Sequence, residues 1–178
     1  MLNPKIQSSL WEMCHRNFMC AYFAKIAFNE SSVFQLCNQE QLNRVHIFLG
    51  CDVIMECYRK FQKITDKIFY IGSLDLIERA FGLPIENKGE KRKELRNYIN
   101  CSIRNIVYRN RNKVFGNSFS IIIVNLVNII ETFIHCDLRQ KYDLAKARNK
   151  TSSFEDDFLI DNILGKIENE VLVLKNLT

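Results

Sequence analysis

The chain is poor in the residues that interrupt helices. Its 178 residues include two prolines and six glycines. A sandwich of many short strands needs turn residues at close intervals, so this scarcity argues against one and favours helices. Long apolar runs are also missing. The most apolar stretch, residues 121–130, is interrupted by Asn125 and Asn128. It is shorter than the ~18 residues that suggest a membrane-crossing helix, so no span and no membrane partner are expected. The opening residues, MLNPKIQSSLWEM, lack the apolar centre of a secretory signal. There is no phosphate-cradling P-loop, no Gly-x-Gly-x-x-Gly and no His-Glu-x-x-His. The three histidines, His15, His46 and His135, have no Ser or Cys partner at motif spacing. His135 and Cys136 are neighbours, but on a helix they diverge by about 100°. No enzymatic activity is expected.

Seven cysteines, at 14, 20, 37, 51, 57, 101 and 136, are an odd number at irregular spacing. They read as free, mostly buried thiols in a reducing compartment, hence an intracellular protein of nucleus or cytoplasm. Hydrophobic residues make up 47% of the chain and charged residues 25%, which suffices for one packed core.

Apolar periodicity predicts an all-α fold, a compact bundle of five or six helices with a small irregular knuckle near residues 29–46. The helices are expected at roughly 10–28, 44–70, 74–81, 91–110, 119–146 and 152–174. Ser9 with Glu12, and Ser152 with Glu155, have the spacing of capping boxes. Gly82 followed by Pro84 marks a helix end. Residues 1–87 hold the N-terminal helices and the knuckle. Residues 88–178 hold a basic helix and two long C-terminal helices, and the two parts read as one compact unit.

Charge is concentrated in one place. Residues 88–113, KGEKRKELRNYINCSIRNIVYRNRNK, carry nine Lys/Arg and two acids, a net of +7; the whole chain carries +5, so the remainder sums to −2. Leu95, Tyr98, Ile99, Ile103, Ile106 and Val107 repeat at helical spacing within it, so one face can dock on a core while cations project from the other. The stretch divides into a cationic entry, Lys88 to Arg96, and a part with a core-facing stripe, Asn97 to Arg111. The nucleic-acid-binding candidates are Lys88, Lys91, Arg92, Lys93, Arg96, Arg104, Tyr108, Arg109, Arg111 and Lys113. Such a cluster attracts phosphates by counterion release, and tyrosine can stack on an unpaired base.

Within the knuckle, Cys37, His46 and Cys51 follow a zinc-like pattern, since zinc takes four tetrahedral N and S ligands. The position three before Cys37 is Phe34, so the Cys-x-x-Cys half is broken. A fourth ligand would come from elsewhere, such as Cys57, Cys14 or His15. Zinc is the one cofactor the sequence allows for.

Four features in order carry a family resemblance. They are Trp11 on the first helix; FQLCNQEQLNRVHIFLGC at residues 34–51; Phe81-Gly82; and Asn97-Tyr98-Ile99 followed by Arg104, Val107-Tyr108 and Arg111. Glu131, Ala145-Lys146, Asn149-Lys150 and Phe154-Glu155 complete the pattern. Over about residues 8–160 the chain resembles the C-terminal region of non-LTR (LINE-type) retrotransposon polyproteins, downstream of their reverse transcriptase domain. The resemblance implies a Cys-Cys-His-Cys zinc knuckle. It also implies a non-catalytic accessory region that grips RNA or DNA beside a reverse transcriptase or endonuclease, in cis or in trans. Phe34 stands where the family has its first zinc cysteine, which implies a degenerate or host-adopted copy. The alternative class is a small helical protein-interaction module of the Bcl-2-like kind that viruses use. Against it, Gly116-Asn117-Ser118-Phe119 stands where an Asn-Trp-Gly-Arg segment would.

Overall fold

A helix that must bury a stripe of branched side chains needs neighbours with matching stripes. Three such helices form the core. In a computed structural model, the described residues are 33–34, 36–37, 39–40, 46, 50–70, 82–85, 90–110, 113–116 and 118–178. Helix α1 spans Asp52–Ile68, α2 Lys91–Arg109, α3 Phe119–Ala147 and α4 Thr151–Phe158. Two short antiparallel pairs accompany them: β1 (Val33–Phe34) with β2 (Gln39–Glu40), and β3 (Gly165–Glu168) with β4 (Val171–Leu174). The described part is thus mostly helical, with four α-helices. The expected helices at 10–28 and 74–81 lie outside the described residues.

Ile54, Phe61 and Ile68 of α1, Leu95, Ile99 and Ile103 of α2, and Leu126, Ile130 and Ile134 of α3 are almost wholly buried. They form the seam where the three helices meet. By length and composition α3 passes the test for a membrane span, as core helices of soluble proteins also do. Its 29 residues extend well beyond the short apolar run on which no span was expected. Seven of its apolar side chains, from Ile122 to Leu138, pack inside the bundle.

Helix α2 differs most from its expectation. All six of its predicted core residues are buried, but so are Arg96, Asn100, Ser102, Arg104 and Asn105. From Leu95 to Val107 only Asn97 escapes burial. The helix read as a basic surface element is therefore the central one, enclosed through its middle. Its exposed cations are confined to its ends. Tyr98 anchors it to α3, donating its hydroxyl to Asp137 Oδ2 at 2.7 Å. Lys141, one turn on, pairs with the same carboxylate and lies 5.2 Å from the Tyr98 ring centre. Burial first, and then the Asp137 charge, hold the Tyr98 hydroxyl well above its ordinary range.

Gly82 has φ +91°, a backbone conformation that glycine adopts without strain. A Cβ there would lie 2.7 Å from Asn97 Oδ1. Asn97 accepts from Leu83 N at 2.7 Å and donates to Leu83 O at 2.9 Å, so its amide serves as a backbone partner for the loop.

The C-terminal segment corrects the sequence reading. The last helix ends at Phe158, and a short 3₁₀ turn, Ile160–Asn162, follows. The expected continuation to Leu174 is a hairpin instead. Asn169 (φ 49°) and Glu170 (φ 61°) take the two left-handed positions of a tight turn, and Glu168 pairs with Val171 across it. Asp161 and Asn162 are also left-handed, which no continuous helix permits. Ser152 lies inside α4 and does not cap it; the capping position is Lys150. Helix α1 begins at Asp52, after the extended Cys51; residues 44, 45 and 47–49 of the expected helix lie outside the described residues. The hairpin is held to the bundle by Tyr142, whose hydroxyl donates to Glu170 O at 2.9 Å. Leu177 N also donates to Glu131 Oε1 at 2.7 Å.

Candidate metal centre and basic helix

The knuckle brings together three donors that are distant in sequence. The β1–β2 pairing folds residues 33–40 into a tight hairpin with Leu36 and Cys37 at its bend. Cys51 N donates to His46 O at 2.8 Å, which ties the second donor residue to the third. Cys51 is the extended, buried residue before α1, with its thiol beside the backbone N–H groups of Val53 and Ile54 in the first turn. The Cys37 and Cys51 thiols and the His46 imidazole lie within 4.8 Å of one another. Cys37 Sγ and His46 Nε2 are 3.3 Å apart. Tetrahedral zinc, at its usual bond lengths, needs such donors roughly 3.5–3.8 Å apart. Two thiols and one imidazole are also donors that zinc prefers. The residues present fit the ion, with a fourth position open to a further ligand.

The local electrostatics suit a ligand role for His46. Burial lowers its pKa, opposed by Asp52, so the ring stays neutral as a ligand must be. The Cys51 thiol is pushed up to about 12, chiefly by burial and further by neighbouring Cys37. Cys57 is pushed up to about 12 by burial, then by Cys51 and Glu56. It is buried in α1 and does not join the three converging donors. Cys14 and His15 lie outside the described residues.

The ten cationic and aromatic candidates divide sharply. Arg92 and Arg109 are exposed on α2, Lys113 is exposed beyond it, and Lys91 and Lys93 are half-buried. Lys88 and Arg111 lie outside the described residues. Tyr108 is half-buried against the core. Arg96 and Arg104 are buried, which corrects their expected role as phosphate contacts. The Arg96 guanidinium donates to Thr65 O at 2.9 Å and to Phe69 O, and pairs with Asp66 at 3.2 Å. A cation at the carbonyl end of α1 is favourably placed against the helix dipole. Arg104 donates to Cys101 Sγ at 3.0 Å.

The entry cations are already engaged. Lys91 pairs with Asp157, Arg92 with Asp161, and Lys93 with Glu90 at 2.9 Å. The Asp157 carboxylate raises the Lys91 pKa. The acids at 157 and 161 face the cations only through the fold, more than sixty residues away along the chain. His135 is half-buried with Nε2 3.1 Å from Lys175 O, while Cys136 is exposed.

Comparisons with protein-family models, with curated proteins and with solved structures find no significant match to this chain.

Proposed function

We propose that this chain is a non-catalytic nucleic-acid-binding accessory region of the LINE reverse-transcriptase type, with its knuckle braced by zinc. The observation that carries this reading is the convergence of Cys37, His46 and Cys51 on one point. The resemblance names these three positions as ligands, and only folding brings them together. A second meeting supports it: the Phe-Gly and Asn-Tyr-Ile segments, separate motifs in sequence, join through Gly82 and Asn97. Phosphate contact falls to Lys91, Arg92 and Lys93 at one end of α2 and to Arg109 and Lys113 at the other. Arg96 and Arg104 serve the fold.

Titration of labelled single-stranded RNA tests the reading. Wild type should bind saturably at low salt, and Lys91→Ala/Arg92→Ala/Lys93→Ala should bind about tenfold or more weakly, three contacts each being worth roughly one salt-screened ion pair. Equal binding by the two proteins would refute the assignment of these cations.

One observation favours a second reading, a helical protein-interaction module. A groove of about 750 Å³ runs beside α3, lined by Ile106, Val114, Phe115, Ile129 and Phe133 among others. Val114, on its lining, is exposed. Helix-in-groove recognition uses such apolar surface. Micromolar binding of a fluorescent amphipathic helical peptide, unaffected by RNA, would favour this reading over the first.

A further inference from the structure

We infer that the acidic segment 155–161 is an internal competitor that occupies the cationic entry of α2 until single-stranded nucleic acid displaces it. The inference rests on the nucleic-acid reading above and adds a regulatory contact to it. A cleft of about 990 Å³ separates the first turn of α2 from the end of α4 and the turn after it. Three cations, Lys91, Arg92 and Lys93, line it, and so do four acids, Glu90, Glu155, Asp156 and Asp161. Three of the nine cations of the basic stretch are therefore matched by acids in space.

The pairing is specific. Asp157 takes Lys91 and Asp161 takes Arg92, whose other terminal nitrogen donates to Ile68 O at 3.1 Å. Asp161 reaches Arg92 from a left-handed backbone position, and Asn162 beside it is left-handed too. A carboxylate held by one guanidinium nitrogen takes a donor and a charge that a phosphate oxygen would otherwise use.

The contact is also releasable. The Lys91 and Asp157 side chains are 43% and 37% exposed, and those of Arg92 and Asp161 are 46% and 60% exposed. Pairs so open to water are weak and screened by salt. A polyanion presenting several phosphates at once outcompetes two single carboxylates. Glu155 and Asp156, exposed on the same rim, add repulsion that an incoming strand must overcome.

The test compares wild type with Asp157→Asn/Asp161→Asn by anisotropy of a labelled oligouridylate at about 0.1 M salt, a regime with a Debye length near 10 Å. A control, Asp143→Asn/Glu168→Gln, raises net charge equally at exposed sites away from the cleft. The entry variant should bind about 3- to 30-fold more tightly than wild type, the size of freeing two exposed pairs, and the control less than about twofold more tightly. Unfolding midpoints should stay close to that of wild type. Wild-type binding with no gain in the entry variant would overturn the competitor while leaving the nucleic-acid reading in place. An equal gain in the control would overturn it in favour of general charge. No binding by any of the three would overturn both.

Discussion

Arg96→Ala is expected to cost the fold about 3–5 kcal/mol, the range for breaking a buried, hydrogen-bonded charge pair. Its guanidinium ties α2 to the last turn of α1 through Thr65 O, Phe69 O and Asp66, and it is 3% exposed. Removing it takes a donor from Phe69 O and leaves Asp66 without its cation, while Thr65 O keeps only the Phe69 N–H. Arg92→Ala, one turn earlier on a 46% exposed side chain, should cost less than about 1 kcal/mol. Urea unfolding of the two variants measures the contrast. Equal stability of both would mean that Arg96 is not the brace described above. The result also bears on function, because a binding loss in an Arg96 variant would report unfolding and not a lost phosphate contact.

Loss of one knuckle thiol should have an equally large effect on metal. Wild type is expected to bind zinc, and Cys51→Ser or Cys37→Ser to bind it at least about 100-fold more weakly, since a ligand should matter at least as much as the partners that orient it. Cys136→Ser, at an exposed thiol outside the site, should change nothing. Chelator should lower the unfolding midpoint of wild type and leave that of the Cys51 variant unmoved. The pH dependence has a definite sign. Cys51 is pushed up to about 12 by burial, so metal must displace its proton. Each thiol that ligates adds about tenfold of weakening per pH unit of acidification. Competition titrations with a zinc-binding dye at several pH values measure both effects. Affinity independent of pH, or undiminished in the thiol variants, would remove zinc from the account.

Much of this architecture could be read from local pattern. The boundaries of α2 and α3 fall within two residues of expectation, because Gly116 to Ser118 breaks the chain cleanly between two strongly periodic runs. The three knuckle donors could be read because Cys37, His46 and Cys51 are zinc-ligand residue types grouped within one short stretch. Other features depended on partners that no local window contains. Arg96 belongs to the cationic entry, where a charge run is usually solvated, and nothing near it in sequence announces the carbonyls of α1; Arg104 already lay in the part with the core-facing stripe. The hairpin at 165–174 was hidden because its apolar residues also fit a helical period. What decides it is the left-handed turn at Asn169 and Glu170, together with Gly165, where a Cβ would lie 2.4 Å from Val173 O. Nothing in the local sequence links Asp157 and Asp161 to Lys91 and Arg92; folding places them together.

The salt dependence of single-stranded RNA binding tests the central claim most directly. Three to five phosphate contacts, shared among Lys91, Arg92, Lys93, Arg109 and Lys113, predict a slope of log K against log salt of roughly −2 to −3.5. The account predicts that slope for wild type and a visibly shallower one for Lys91→Ala/Arg92→Ala/Lys93→Ala. A slope near zero, or the same slope in both proteins, would contradict it.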